Sequence, residues 1–337
     1  MQVPVIDQNR NALMPTSPQR AAQWIKSHKA TPYWSSFGIF CVRLNQSTGN
    51  IKQDVSCGID TGSKREAVCV KSRKHTYINI LSDAVVWVKE AVEQRRNARR
   101  ARRNRTTPCR KNKYNRTKGK LAPSTKARWQ SKLRIVNKLR KIYPINSFVV
   151  EDISATTKKG KRWNVMFSPL QCGKKYFYIE LKKLGKLTTK KGYETKEMRD
   201  KLGLKKSSDK MAEKFEAHNV DAWVLAHSDV GGDLDNKDLT RVVPLRFHRR
   251  QLHMFQPSTG GIRKCYGGTM SLGLKRGSLV RHPKYNVCYV GGTMGDRISL
   301  HNLSDGKRLC QNAKPSDIRF LTYNSWRFRC SSPTLKG

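Results

Sequence analysis

Acid is scarce in this chain. Its 337 residues hold 24 Asp and Glu against 69 Lys and Arg, a formal net charge of +45. So much charge of one sign repels itself in a compact fold, and a polyanion is needed to neutralise it. Nucleic acid is the expected polyanion, because each neutralised phosphate releases a counterion. Long apolar runs are also missing. None approaches the roughly 18–20 residues that span a bilayer, so a membrane surface is the weaker partner. The first residues, Met1-Gln2-Val3-Pro4-Val5-Ile6-Asp7, lack the charged segment and apolar stretch of a secretory signal. Cysteine is present but unpatterned, at 41, 57, 69, 109, 172, 265, 288, 310 and 330, with no Cys-x-x-Cys. An odd, widely spaced set argues against a disulfide scaffold or a zinc ribbon, and for reduced thiols in a cytoplasmic, nucleoid-associated setting. Hydrophobic residues make up only 37%, which predicts a divided core that is marginally stable without its nucleic acid.

What the chain has in excess is arginine. Seven fall within eleven residues, at Arg95, Arg96, Arg99, Arg100, Arg102, Arg103 and Arg105. On a helix these cover more than one stripe, and like charges at i, i+4 repel. Such a helix makes sense when phosphates surround it, since guanidinium makes bidentate phosphate contacts that ammonium does not. The bland alternative is a solvated basic tail or localisation signal. The preceding Val85, Val86, Val88 and Val92 argue for a docked helix, with Ser82 and Asp83 as its caps.

The rest of the chain reads as an α/β protein. Residues 3–6 and 37–44 are strands, 11–16 an irregular turn, and 19–28 a helix opened by Pro18. Val-Ser-Cys-Gly-Ile-Asp at 55–60, Glu-Ala-Val-Cys-Val at 66–70 and Tyr-Ile-Asn-Ile-Leu at 77–81 are strands, the first two a hairpin. A basic stretch at 106–125 is expected to order only on a ligand. Residues 127–141 form an amphipathic helix with Trp129, Leu133, Val136 and Leu139 on one side. Residues 148–150 are a short buried strand. Residues 152–209 are basic and poorly periodic apart from a helix near 174–184. A helix from about 209 carries Met211, Phe215, His218, Ala222 and Leu225, and Gly231-Gly232 stops it. Short β-like runs at 278–281, 287–290, 297–300 and 318–322 read as a small β-barrel.

Against this background the few acids stand out. Asp60 ends one strand and is followed by Thr61-Gly62-Ser63, where glycine permits a tight turn. Glu151 ends another strand. His218 and Asp221 are three residues apart on the expected helix and share a face. Each alone is more often a turn, surface or capping residue. Together, in this order, they suit a nuclease: Asp60, Glu151 and Asp221 offer hard oxygen ligands for two Mg²⁺ ions, with Mn²⁺ a substitute. Two such ions activate water and stabilise the leaving oxygen of a phosphodiester. His218 could ligate an ion, or position or deprotonate the water.

The order Leu13-Met14-Pro15, Gly58-Ile59-Asp60-Thr61-Gly62-Ser63-Lys64, arginine helix, Val149-Val150-Glu151 and His218-Asn219-Val220-Asp221-Ala222 resembles the transposon-encoded, RNA-guided nucleases of the IscB and IsrB group. The resemblance implies an RNase H-like RuvC core split in three and an N-terminal PLMP domain at 1–50, with Ala12 where the name motif has proline. It implies RuvC segments at 51–82, 121–165 and 209–240, with Asp60, Glu151, His218 and Asp221 on their motifs. A bridge helix and linker fall at 83–120, a basic RNA-contacting segment at 166–208, and a domain reading a target-adjacent motif at 241–337. Histidine is absent between His75 and His218, which excludes an active HNH domain in that interval. The chain therefore resembles the IsrB branch, which has RuvC alone. That implies a guide omega RNA and double-stranded target DNA as partners, a monomer within a ribonucleoprotein, and a nick in the non-target strand. Base pairing would read sequence while protein reads backbone and a short duplex motif.

Lys158, Lys159, Lys161, Arg162, Lys174 and Lys175 flank Trp163, Phe167, Tyr176, Phe177 and Tyr178. Basic and aromatic residues interleaved suit RNA or single-strand contact, although the aromatics fit a small core equally well. Arg249 and Arg250 are a further RNA contact, and Lys275, Arg276 and Arg281 fall where the resemblance places motif reading. Two other readings stay open: a guide-free resolvase or transposase on the same fold, and a structural RNA-binding protein.

Overall fold

The structure is a computed structural model. It describes residues 2–47, 49, 51–105, 121, 123–153, 171, 173–245, 255–256, 261–262 and 270–330. It divides into two compact units, one of residues 1–52, 141–144 and 238–337, the other of residues 53–140 and 145–237.

The first unit begins with β1 (Val3–Ile6), β2 (Ala12–Thr16), α1 (Pro18–Lys26), β3 (Ala30–Trp34) and β4 (Phe40–Leu44). The sheet order is β2-β1-β4-β3. Residues 11–16, expected as an irregular turn, are mostly strand β2. Pro15 cannot donate to a ladder, and it is tolerated because β2 is an edge strand. Ser17 Oγ accepts from the Arg20 N–H at 3.3 Å and caps α1. Trp24 and Ile25 of α1 pack on Val3, Val5, Leu13 and Val42.

The second unit is built on a mixed sheet. β5 (Val55–Asp60), β6 (Arg65–Ser72) and β7 (Thr76–Asp83) form an antiparallel meander. After α2 (Val88–Asn104) and α3 (Pro123–Arg140), β8 (Ser147–Asp152) returns parallel to β5. After α4 (Lys174–Lys182), β9 (Lys186–Lys191) lies parallel to β8. α5 (Gly192–Lys201), a π-helical turn (Phe215–Asn219) and α6 (Val220–Val230) complete the unit. The strands run in the order β7-β6-β5-β8-β9.

Side chains alternate across a strand. Ala67 and Cys69 of β6 pack with Val220, Ala222, Trp223 and Val224 of α6. Glu66, of opposite parity, points the other way and pairs with Lys132 of α3. The sheet is therefore covered on both faces, which explains why β5 and β6 are buried without alternation. Gly58 lets α6 come close to the sheet: a Cβ there would lie 1.9 Å from the Ala222 carbonyl oxygen.

Several expectations fail here for local reasons. Ser82 and Asp83 are not helix caps. They continue β7 opposite Glu66 and Arg65, and Asp83 pairs with Arg65 at 2.7 Å. Residues 186–201 are not aperiodic but strand and helix. Residues 209–214 are not helical, and helix geometry starts only at Phe215. The expected helix at 127–141 is α3, with Trp129, Leu133, Val136 and Leu139 buried.

The first unit resumes with β10 (Leu239–Pro244), β11 (Phe255–Gln256), β12 (Gly261–Ile262), β13 (Met270–Ser271) and β14 (Leu274–Lys275). β15 (Leu279–His282), β16 (Asn286–Met294), β17 (Arg297–His301), β18 (Arg308–Ala313), β19 (Arg319–Thr322) and β20 (Trp326–Cys330) follow. The strands expected as a small barrel form a five-stranded antiparallel sheet, β18-β17-β16-β15-β19. Val280, Cys288, Val290, Ile298 and Leu300 are its core. Phe37, expected in a strand, is instead a fully buried turn residue, edge-on to Trp326 and Phe328 of β20 at 6.0 and 5.1 Å.

Candidate active site: a carboxylate cluster held by internal cations

Gly58, Cys69 and Ala67 mark the face of the sheet that meets α6, and Asp60 shares the parity of Gly58. Asp60 therefore points at the helix that follows the π turn. β8 lies beside β5 with Ile59 opposite Val150, so Glu151, expected to end its strand but followed in it by Asp152, comes next to Asp60. Thr61 Oγ1 donates to the Glu151 carbonyl at 3.4 Å and ties the two strand ends together. A Cβ at Gly62 would overlap the Arg65 carbonyl at 1.6 Å, so the turn after Asp60 requires glycine.

The four residues singled out from sequence converge. His218 Nδ1 is 3.3 Å from Asp60 Oδ2, and its Nε2 is 2.9 Å from the Lys210 carbonyl. The hydrogen bond to Asp60 raises the pKa of His218 against the effect of burial, and the Lys210 carbonyl adds to the rise. A doubly protonated ring satisfies both partners. Burial pushes Glu151 up to about 8, reinforced by the charges of Asp60 and Asp221 and a hydrogen bond with Asp60. Asp60 and Asp221 are themselves buried, at 6% and 2% exposure.

Asp221 does not share its partner with His218, although they are three residues apart. The π turn, Phe215–Asn219, ends between them. Asp221 Oδ1 accepts from Arg199 Nη1 at 2.6 Å, and Oδ2 accepts from Lys206. Burial works against the Lys206 ammonium, but Asp221, with Asp60 and Glu151, holds its pKa above the usual lysine value. Arg199 and Lys206 were not among the expected site residues. They sit in a stretch so rich in lysine that no local pattern distinguishes them.

Carboxylate oxygens are donors that hard divalent cations accept, and the His218 ring joins them only when a ring nitrogen gives up its proton. Among the described residues, no group of three or more His, Cys, Asp or Glu is arranged to hold a metal ion as it stands. The oxygens of Asp221 are taken by Arg199 and Lys206, and the ring nitrogens of His218 by Asp60 and Lys210. The donor set fits such an ion in kind, and Glu151, whose pKa is raised by burial and by its acidic neighbours, calls for added positive charge.

The arginine run is helical through α2, which is continuous over Val88–Asn104, with Arg105 as its C-cap. Arg96, Arg99, Arg100, Arg103 and Arg105 are exposed and Arg102 is half-buried; the Arg95 side chain lies outside the described residues. Arg96, Arg99, Arg100 and Arg103 line a shallow pocket.

The other basic positions divide. Lys174 pairs with Asp152 at 2.7 Å, and Tyr178 donates to the same carboxylate at 2.8 Å. Lys175 is exposed. Phe177 is fully buried against Trp129, ring centroids 5.1 Å apart, so this aromatic serves the core. Lys275 is exposed and lies over the Tyr323 ring at 4.9 Å, Arg276 packs near Gly292, and Arg281 is exposed. Lys158, Lys159, Lys161, Arg162, Trp163, Phe167, Arg249 and Arg250 lie outside the described residues, as do 106–120 and 122 of the basic stretch.

Residues 3–166 match the family model described as RRXRR protein. That span contains Asp60, Glu151 and all of α2, and the chain spells the pattern at Arg99-Arg100-Ala101-Arg102-Arg103. No curated protein matches the chain. Among the described residues, no helix is long and apolar enough to cross a membrane.

Proposed function

We propose that this chain is an RNA-guided DNA endonuclease similar to the IscB and IsrB group, of the kind that carries RuvC chemistry alone and nicks the non-target strand. The observation that carries the reading is the meeting of Asp60, Glu151, His218 and Asp221, drawn from segments up to 161 residues apart in the sequence, in a protein of such positive charge. The RRXRR match over residues 3–166 supports an IscB-like protein and an RNA partner. The mixed α/β sheet is compatible with an RNase H-like core.

Asp60, Glu151 and Asp221 would hold two Mg²⁺ ions, with His218 beside them. Bound there, the ions supply an activated water and charge stabilisation at the leaving oxygen. The protein's part is geometric and electrostatic. β5 and β8 present Asp60 and Glu151 side by side, and α6 brings Asp221 to them. His218, steadied by the Lys210 carbonyl, keeps a proton beside Asp60 and can direct it at the site. The exposed arginines of α2 bind phosphates of guide or target, and the exposed Lys275 and Arg281 meet duplex DNA.

The test has two stages. The protein is expressed with its flanking genomic DNA, and the RNA that copurifies is sequenced. One dominant structured RNA with a short variable end is expected. With that RNA, supercoiled plasmid carrying the target should become open circle in Mg²⁺, and Asp60→Ala should bind but not nick. Linear DNA as the main product, or only ribosomal and transfer RNA fragments in the preparation, refutes the reading. Cutting of branched DNA without RNA would favour the guide-free resolvase.

A further inference from the structure

Asp221 is a buried carboxylate with both oxygens already occupied by cations. The two cations differ in how they are held. Arg199 is in the helix α5, its side chain 13% exposed, and a planar guanidinium 2.6 Å from Oδ1 is a fixed partner. Lys206 lies beyond α5 in residues 202–214, which contain no regular helix or strand, and its side chain is 35% exposed. An ammonium on a four-carbon stem can withdraw to solvent where a buried guanidinium cannot. The same segment is also fastened elsewhere, by His218 Nε2 at the Lys210 carbonyl, by the Ser207 N–H donating to the Glu216 carbonyl at 2.8 Å, and by Glu213 3.9 Å from Arg65.

Asp221 is paired with Arg199 and Lys206, and Asp60 with His218, so two of the three carboxylates of the cluster already face a basic group of the chain. We propose that Lys206 is a displaceable internal cation of this centre: it occupies Asp221 in the metal-free protein and competes with a divalent ion for that carboxylate, while Arg199 stays as its positioning partner. This rests on the reading of the cluster as a metal-dependent nuclease centre. An ion seated among the three carboxylates would lie a few ångströms from the ammonium, and like charges so close repel strongly in a half-buried site. Lys206 must leave for the ion to be held by Asp221.

The test is Mn²⁺ binding to the full-length chain freed of nucleic acid, read from the electron paramagnetic resonance of free Mn²⁺. Wild type, Asp60→Ala, Lys206→Met and Lys206→Arg are compared. Lys206→Met should bind Mn²⁺ more tightly, on the order of tenfold, since one competing unit charge is gone. Lys206→Arg keeps the charge and should stay at the wild-type affinity or below it. Thermal unfolding gives a second readout: Lys206→Met should melt lower than wild type in chelator and gain more from Mn²⁺. If Lys206→Met is unfolded in chelator, Mn²⁺ must refold it. Unchanged or weaker Mn²⁺ affinity in Lys206→Met, or a chain that Mn²⁺ does not refold, overturns the proposal. Asp60→Ala separates the two claims: if it binds Mn²⁺ as wild type does, the metal-centre reading itself fails.

Discussion

Gly58 is where the fold and the site depend on a single missing methyl group. It lies two residues before Asp60, and α6 crosses the sheet directly above it. A Cβ at this position would sit 1.9 Å from the Ala222 carbonyl oxygen and 2.7 Å from the Ala226 nitrogen. Both are backbone atoms of a helix whose residues Val220, Ala222, Trp223, Val224, Leu225 and Ala226 are all buried. No side chain can rotate away. The helix must retreat by roughly 1 Å or more, which exceeds what a close-packed interior absorbs. Overpacking costs about 1–3 kcal/mol when side chains can adjust. Here backbone must move, so Gly58→Ala should cost about 3 kcal/mol or more. For a unit of this size that is a fall of roughly 6–12 °C in the melting temperature. The assay is thermal and urea unfolding of the nucleic-acid-free chain, with Gly49→Ala as the control, since nothing lies within 4 Å of a Cβ there. Nicking should fall further than stability alone explains, because the same retreat carries Asp221 away from Asp60. A Gly58→Ala protein that melts within a degree of wild type would refute the packing argument and the placement of α6.

Lys132 and Glu66 form a buried pair, at 2% and 4% side-chain exposure. Lys132→Met strands a carboxylate in the core and should cost about 3–5 kcal/mol, while the double change with Glu66→Leu should recover most of it, as a urea-denaturation double-mutant cycle would show. Lys71 is fully buried, donates to the Gly231 and Gly232 carbonyls and lies 4.4 Å above Trp223. Burial lowers its pKa from 10.5, so the unfolded chain binds more protons in the interval below that value. Wild-type stability should therefore rise with pH through that interval relative to Lys71→Met; parallel curves would show that the ammonium is not desolvated. Replacing Arg99, Arg100 and Arg103 together by alanine should flatten the plot of log affinity for nucleic acid against log salt, by about 0.7–0.9 for each phosphate that these arginines neutralise in the wild type. An unchanged slope would remove α2 from the interface.

The sequence carries the signal for an element when its burial is simple. β5, β7 and β8 were legible because strands buried on both faces are apolar runs, and α3 because Trp129, Leu133, Val136 and Leu139 recur at helical spacing. β2 was hidden by Pro15, whose missing donor matters only away from an edge. β9 was hidden for the related reason that it reads Lys-Leu-Thr-Thr-Lys-Lys, a largely exposed strand with almost nothing to bury. The π turn has no residue pattern at all. Spacing alone placed His218 and Asp221 three residues apart at one site, but not the different hydrogen-bond partners that each takes there.

The same limit applies to the chemistry. The three acids and the imidazole were legible because acid is scarce, because Asp60 and Glu151 each follow an apolar strand, and because His218 and Asp221 stand three residues apart. The two cations that answer them were not, because a lysine among 69 basic residues carries no mark of its own. Only the fold selects Lys206 and Arg199, by bringing them to the one acid of the cluster whose two oxygens face α5 and the segment after it. A large positive charge is usually understood as an adaptation to a polyanionic partner. Here part of it is turned inward. Three carboxylates buried together would repel one another and retain protons, as Glu151 does. Arg199 and Lys206 pair with Asp221 and His218 with Asp60, so part of that repulsion is answered by the chain's own basic groups. On the proposal above, the cation held at Asp221 is exchangeable, Lys206 for a divalent ion, while Arg199 stays in place.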